Sequence, residues 1–304
     1  MDDSARSVKT PQDASKADDW RVTKLPVDAA FAAYQRGYFV TAFKEAMKRV
    51  ETNRDDAAAM TLIAELFKDG LGFKRDPAEA ARWYKLAAER GDRQAAFALG
   101  RAYLEGSGVT MDRKKAEQLF RSAAKGGHGA ALYNLGVMAL EPRGKEKTVD
   151  FAAAAKLFEQ AAEAGDLDAA YSLATLYRHG NGVEKDEKRA TELLRQAADQ
   201  KHLAAMTEYG IALFNGRGVE KDEKAGARML LQAAWRNSPV AQNRVARMYA
   251  AGRGLKQDIV EAMTWHIIAR ASGLKDSWLE DKLPFLTRTQ REVVDQKVRK
   301  FAGK

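Results

Sequence analysis

The chain has 304 residues, of which 45% are hydrophobic and 31% are charged, and its formal net charge is +9. It contains no cysteine, which excludes disulfides, thiolate metal sites and cysteine nucleophiles. No apolar run approaches the roughly 20 residues of a membrane-spanning helix, so the sequence predicts no transmembrane segment.

Residues 1–25 are polar and mixed in charge, and they predict a disordered leader. They contain no apolar stretch of the kind that forms the centre of a secretory signal peptide. The remainder divides into a predicted repeat region at 26–274 and a predicted C-terminal cap at 275–304.

An aspartate recurs along the repeat region at a nearly constant step. The intervals between successive aspartates are 36, 38, 36, 36 and 36 residues. The positions are Asp76, Asp112, Asp150, Asp186, Asp222 and Asp258. Such self-similarity is typical of an array of helix pairs, in which stacked neighbours bury apolar faces that one pair could not bury alone.

The unit at 95–127 shows which features repeat. Residues at helical spacing predict a first helix with one apolar stripe, formed by Ala96, Leu99, Gly100 and Tyr103. A turn with two glycines follows, and Asp112 is the predicted N-cap of a second helix. The stripe of that helix is formed by Ala116, Leu119, Phe120, Ala123 and Ala124. Gly127 ends the unit, whereas Lys201 and Asn237 hold the corresponding position in two later units.

Two stretches depart from this pattern. Glu141–Lys147 replaces the glycine turn of the third unit, which is two residues longer, and we expect it to bulge from the edge of the array. After the last unit, Asp276–Leu286 and Thr287–Phe301 carry apolar residues at helical spacing and predict a helical cap over the end of the array. Thr287 followed by Gln290 resembles a capping box.

These motifs resemble those of the Sel-one-like repeat (SLR) family, an α-helical relative of the tetratricopeptide repeats. The resemblance rests on Leu99-Gly100, Tyr103, Gly106, Gly108, Val109, Asp112, Lys115-Ala116, Ala123-Ala124 and Gly127, and it recurs over six units at about 57–274. Residues 27–55 are similar to an ordinary tetratricopeptide unit and predict a divergent first unit. The resemblance implies an all-α, right-handed superhelical solenoid of about seven antiparallel helix pairs with a C-terminal helical cap.

In tetratricopeptide-like stacks the first helix of each unit lines the concave face, and the resemblance implies the same here. By register, three rows then point inward. The first row is Thr61, Phe97, Tyr133, Tyr171, Thr207 and Asn243; the second is Glu65, Arg101, Val137, Thr175, Ile211 and Arg247; the third is Lys68, Leu104, Leu140, Arg178, Phe214 and Ala250.

From these rows we predict a partner-binding groove with an aromatic and apolar centre and with arginines toward its ends. Its residues are Phe97, Arg101, Leu104, Tyr133, Leu140, Tyr171, Arg178, Phe214 and Arg247. The alternative is that packing between adjacent units buries part of these rows as core.

We predict no catalytic residue, no metal site and no cofactor. The repeated glycines lack the lysine and hydroxyl residue of a phosphate-binding loop, so they are interpreted as turns. The four histidines, His128, His179, His202 and His266, lack metal-ligand spacing, and each is interpreted as replacing a different repeat position.

We therefore expect a non-enzymatic scaffold or adaptor that binds a protein, a peptide or a partner helix. The resemblance implies a role in bacterial envelope regulation or signalling. It also implies a periplasmic or exported location after removal of a signal peptide that this sequence lacks, with a cytoplasmic location as the alternative.

Two other functions stay open. A solenoid that binds nucleic acid or another polyanion would use the net positive charge, although Glu65 and the apolar residues of the rows argue against it. An enzyme acting on cell-wall polymer would need a catalytic constellation, and none stands out in the sequence.

Overall fold

The computed structural model describes residues 28–142 and 148–303, which form helices and turns and contain no β-strand. The predicted leader at 1–25 and most of the predicted bulge at Glu141–Lys147 lie outside these described residues.

Within the described residues, seven helix pairs follow one another in chain order, in agreement with the number that the resemblance implies. The first helices of the pairs are α1 (Ala29–Gln35), α3 (Ala57–Asp69), α5 (Arg93–Glu105), α7 (Gly129–Ala139), α9 (Leu167–His179), α11 (Leu203–Asn215) and α13 (Pro239–Ala251). The second helices are α2 (Phe39–Thr52), α4 (Pro77–Glu89), α6 (Arg113–Lys125), α8 (Phe151–Glu163), α10 (Glu187–Asp199), α12 (Glu223–Trp235) and α14 (Ile259–Ala271). Two short segments and a longer helix follow α14: α15 (Ser277–Glu280), a 3-10 turn (Leu283–Phe285) and α16 (Arg288–Ala302).

The chain divides into two compact units. The first holds α1–α4 together with Ser107–Val109, and its core is built from small and aliphatic residues such as Ala46, Ala59 and Ile63. The second holds α5–α16, in which each helix from α5 to α13 packs against the next along the chain and α14 packs against α16. One continuous apolar core runs through the second unit from Leu132 to Val294.

Each periodic aspartate begins the second helix of its pair. The side chains of all six accept a hydrogen bond from a backbone N–H in the first turn, so the predicted N-caps are confirmed. An N-cap of this kind is typically worth about 1 kcal/mol because it satisfies backbone donors that have no partner within the helix.

Glycine lets the two helices of a pair approach closely in the middle of the array. A Cβ atom added at Gly136 on α7 would lie 2.5 Å from the ring of Phe158 on α8, well inside van der Waals contact. Phe158 is almost fully buried. The large ring therefore fills the space that the missing side chain leaves.

Lys201 and Asn237 adopt the left-handed conformation that glycine adopts at the ends of other units. Their φ angles are 68° and 65°, against 75° at Gly127 and 88° at Gly165. A left-handed φ is unfavourable for a lysine, so the unit boundary is kept here at an energetic cost.

The C-terminal segment differs from the prediction between Asp276 and Leu286. The helix α15 ends at Glu280, and a short 3-10 turn follows in place of a continuous helix. Pro284 explains the break, because its ring would clash with the carbonyl of Glu280 in a continuing α-helix. The capping box of Thr287 and Gln290 is confirmed, with both reciprocal hydrogen bonds present.

Candidate partner-binding face

The nine residues of the predicted groove lie on the first helices α5, α7, α9, α11 and α13 or directly after them. We call the surface that they form the first-helix face. None of the nine is fully buried: Arg101 and Arg247 are exposed and the other seven are half-buried. Side chains at other positions of the same helices, such as Leu99, Leu135 and Leu173, are buried in the core.

Side chains of the first row contact the next helix pair along the chain. Phe97 stacks on His128, the N-cap of the next first helix, with ring centroids 4.5 Å apart. The ring of Tyr171 lies against His202, the N-cap of α11, at 5.6 Å. The row therefore has a structural role at the boundary between consecutive helix pairs, whether or not it also binds a partner.

The same relationship continues through hydrogen bonds further along the row. The hydroxyl groups of Thr207 and of Ser238, the N-cap of α13, lie 2.9 Å apart. Asn243 donates to Asp276, the N-cap of α15, at 2.7 Å. Thr207 and Asn243 are buried, as is Ala250 of the third row, so the alternative of core packing holds for these positions.

The histidines correct one interpretation made from the sequence. His128 and His202 occupy the same repeat position, because each caps a first helix with its side chain. The Nδ1 atoms accept from the backbone N–H groups of Ala131 and Ala205 at 3.2 and 3.1 Å. The prediction of four different positions was therefore wrong.

The arginines of the first-helix face are paired with carboxylates. Arg101 binds Glu105 on its own helix at 2.6 Å, and Arg178 on α9 binds Glu208 on α11 at 3.0 Å. Arg247 on α13 makes two hydrogen bonds to Asp276, at 2.6 and 2.9 Å. These three positive charges are thus balanced locally.

The ionisation of the last pair follows from its geometry. Burial alone would raise the pKa of the Asp276 carboxyl, but hydrogen bonds from Arg247 and Asn243 outweigh it and hold that pKa below its usual value. The same hydrogen bond raises the pKa of Arg247. Both groups are therefore charged near neutral pH.

Two residues of the predicted groove, Phe214 and Arg247, line one pocket of about 420 Å³. Its other lining residues include Arg244, Arg253 and Trp278. Sequence reasoning missed these three as site residues. Arg244 precedes Arg247 by one helical turn, which was a usable signal, whereas nothing in the repeat pattern indicates that Arg253 and Trp278 reach the same pocket.

Neither a metal cluster nor a membrane span is found in the described part of the chain. Within residues 28–142 and 148–303, no three His, Asp or Glu side chains are grouped as ligands for a metal ion. None of the helices described there combines the length and the apolar composition needed to cross a membrane.

Paired helices that pack in chain order define a tetratricopeptide-like helical repeat protein. The Sel1 repeat family matches six consecutive segments of the chain: 57–92, 93–128, 129–166, 167–202, 203–235 and 239–274. The chain therefore belongs to the Sel1 repeat family. Proteins built from Sel1 repeats generally mediate protein–protein interactions and are generally not enzymes.

Solved structures with the same fold include two bacterial proteins. A Sel1 repeat protein from Oxalobacter formigenes is 30% identical, with a TM-score of 0.69, over 80% of this chain and 98% of that one. The protein c5321, a protective antigen of uropathogenic Escherichia coli strains with an SLR fold, is 25% identical, with a TM-score of 0.56, over 91% of this chain and 68% of that one. No curated protein matches the chain.

Proposed function

We propose that this protein is a non-enzymatic scaffold or adaptor that holds a peptide segment or a helix of a partner protein on the first-helix face. The observation that supports it most directly is the incomplete burial of aromatic and apolar side chains on this face. Phe97, Tyr133, Tyr171 and Phe214 are all half-buried, although each helix has buried its opposite stripe. Aromatic and arginine side chains of this kind are enriched at protein-binding hot spots.

The pairing of the arginines favours a protein partner over a nucleic acid. A groove that follows a phosphate backbone needs a continuous row of free positive charges. Here Arg101, Arg178 and Arg247 are each bound to a carboxylate, and those carboxylates would repel phosphates. These three arginines therefore contribute no unpaired positive charge to the face, even though the whole chain has a net charge of +9.

We place this adaptor in bacterial envelope regulation or signalling, with a periplasmic or exported location. The similarity to c5321, a protective antigen, supports an exported location, because a protective antigen has to be accessible to the host's immune system. The absence of cysteine is compatible with that compartment. Fractionation of the native cells tests the location, and recovery of the protein with the cytoplasm would contradict it.

The binding function is tested by capture from a lysate of the native organism with the immobilised protein. The double variant Arg101→Glu/Val137→Glu changes two exposed second-row positions. Within residues 28–142 and 148–303, neither side chain forms a hydrogen bond or an ion pair with another repeat, so the array should stay folded; circular dichroism checks this. We expect the variant to lose at least one partner that the unaltered protein retains.

Arg121→Glu on α6 is the matched control. Arg121 is as exposed as Arg101, at 64% against 56% of the side chain, and each binds a glutamate four residues away on its own helix. Charge reversal at Arg121 should leave capture unchanged. Equal capture by the double variant and the unaltered protein would show that partners bind elsewhere.

A further inference from the structure

The pocket beside Phe214 has an apolar floor and a positively charged rim. The floor is formed by Phe214 on α11, Leu230 on α12 and Met248 on α13. The rim carries Arg244 and Arg247 on α13, Arg253 in the turn after it, and Trp278 on α15. A pocket of about 420 Å³ is large enough to take one aromatic or large aliphatic side chain with part of its backbone.

Two of the three rim arginines are held in fixed positions. The Arg253 guanidinium lies 4.8 Å from the centroid of the Phe214 ring and binds Glu223 at 2.6 Å. Arg247 binds Asp276 and lies 5.4 Å from the centroid of the Trp278 ring. Ion pairing and stacking therefore fix these two side chains as walls of the pocket.

Arg244 differs from the other two because its charge is not balanced. It is exposed and forms no ion pair or side-chain hydrogen bond with any residue in the described part of the chain. Lys282 adds a further positive charge at the rim, with its ammonium group 4.3 Å from the centroid of the Trp278 ring. The pocket thus combines an apolar floor with uncompensated positive charge at its mouth.

We propose that this pocket binds an acidic segment of a partner protein, in which an apolar side chain enters the floor and a neighbouring aspartate or glutamate pairs with Arg244. This proposal rests on the scaffold function proposed above and names the chemistry of its ligand. An apolar side chain is required because a polar group on this floor would lose its hydration without gaining hydrogen bonds. A carboxylate is required because its planar group matches the two parallel N–H donors of a guanidinium.

A nucleic acid fits the same pocket less well. Trp278 offers a surface on which a base could stack, and Arg244 could bind a phosphate. However, Asp276 and Glu223 lie beside the other two arginines, and hydrogen bonds from Arg253 and Lys221 lower the pKa of Glu223 to about 2. Both carboxylates are ionised near neutral pH and would repel the several phosphates that a nucleic acid places around the pocket, whereas the proposed segment needs only one carboxylate, at Arg244.

The probe is a set of synthetic peptides of about ten residues with blocked ends. Each peptide carries one apolar residue flanked by glutamates. The apolar residue is phenylalanine, leucine, isoleucine or methionine. Control peptides carry glutamine in place of the glutamates, or alanine in place of the apolar residue. Binding is followed through the indole N–H resonance of Trp278 in two-dimensional NMR spectra, which the variant Trp278→Phe assigns. The protein variant is Arg244→Gln, and the matched control is Arg228→Gln, at an exposed arginine of α12 outside the pocket lining.

We expect at least one glutamate peptide to shift the Trp278 resonance, and both types of control peptide to bind more weakly. Arg244→Gln should weaken binding about tenfold, as expected for one lost charge-assisted pair, and Arg228→Gln should leave it unchanged.

Any one of four results would overturn the proposal. Equal binding of glutamate and glutamine peptides, or equal binding by Arg244→Gln, would show that the pocket does not select carboxylates. No shift with any peptide would show that it is not a peptide site. A larger shift with a thymidine oligonucleotide, which also displaces the peptides, would assign it to nucleic acid. Loss of capture in Arg101→Glu/Val137→Glu tests the scaffold function separately, because those two positions lie outside this pocket.

Discussion

Arg247 binds Asp276 through two nitrogen atoms of its guanidinium, at 2.6 and 2.9 Å, and so joins α13 to the N-cap of α15. The same carboxylate caps α15 by accepting from the backbone N–H of Leu279. The Asp276 side chain thus caps the first helix of the C-terminal segment and attaches that segment to the helix pair α13 and α14. The Asp276 side chain is only 3% exposed, whereas that of Arg247 is 46% exposed.

Asp276→Ala should lower the free energy of unfolding of the C-terminal part of the second compact unit by about 2 kcal/mol. It removes charge-assisted hydrogen bonds and an N-cap, while the exposed Arg247 can regain hydration. Urea denaturation followed by circular dichroism measures the change. Asp281→Ala, at an exposed aspartate one turn further on, is the control and should have little effect. Equal midpoints for the two variants would contradict the role of Asp276.

The stability that Asp276 contributes should be lost in acid. Its pKa is lowered in the folded protein, so the folded state favours the ionised form more than the unfolded chain does. The contribution is therefore complete above the unfolded value of about 3.9 and disappears as the pH falls through the lower folded value. The difference in urea midpoint between the unaltered protein and Asp276→Asn should be constant above about pH 5 and shrink below about pH 4. A difference that stays constant down to pH 3 would contradict this linkage.

Lys201→Gly should stabilise the protein by about 0.5–1 kcal/mol, because glycine removes the strain of a left-handed lysine but adds freedom to the unfolded chain. Thermal unfolding measures the gain. Gln200→Gly changes the preceding residue, whose φ is −85°, and should not stabilise. A Lys201→Gly variant that melts below the unaltered protein would refute the assignment of strain.

Gly136→Ala should destabilise the protein by about 1–3 kcal/mol, because the new methyl group would meet the Phe158 ring. The next unit carries Ala174 and Leu194 at the corresponding positions, which suggests a rescue. The double variant Gly136→Ala/Phe158→Leu should recover part of the loss in urea denaturation. Simple addition of the two single effects would show that these positions are not coupled.

The helix pairs and their caps could be predicted because they depend on local sequence. An aspartate before a helix and a glycine turn after one act within a few residues, and six repetitions made the pattern clear. The histidine caps were missed for two reasons. Histidine is not among the usual N-cap residues, and the interval of 38 residues in the third unit hides the equivalence of His128 and His202.

The pocket beside Phe214 could not be predicted because it depends on contacts between separate segments. Arg253 lies in a turn and Trp278 in a segment that departs from the repeat, so no period brings them to Phe214. The double role of the first row was also hidden. Spacing placed Phe97 and Tyr171 on one face, but only the structure shows that each also contacts the N-cap of the next first helix.

Site-specific photo-cross-linking in the native cells tests whether partners bind the first-helix face. A photoreactive phenylalanine analogue at position 137, where Val137 is 37% exposed on α7, should form a covalent adduct with a partner protein. The same analogue at position 121 on α6 should form none. Adducts from position 121 but not from position 137 would contradict binding at the first-helix face and would place the partner on the second helices.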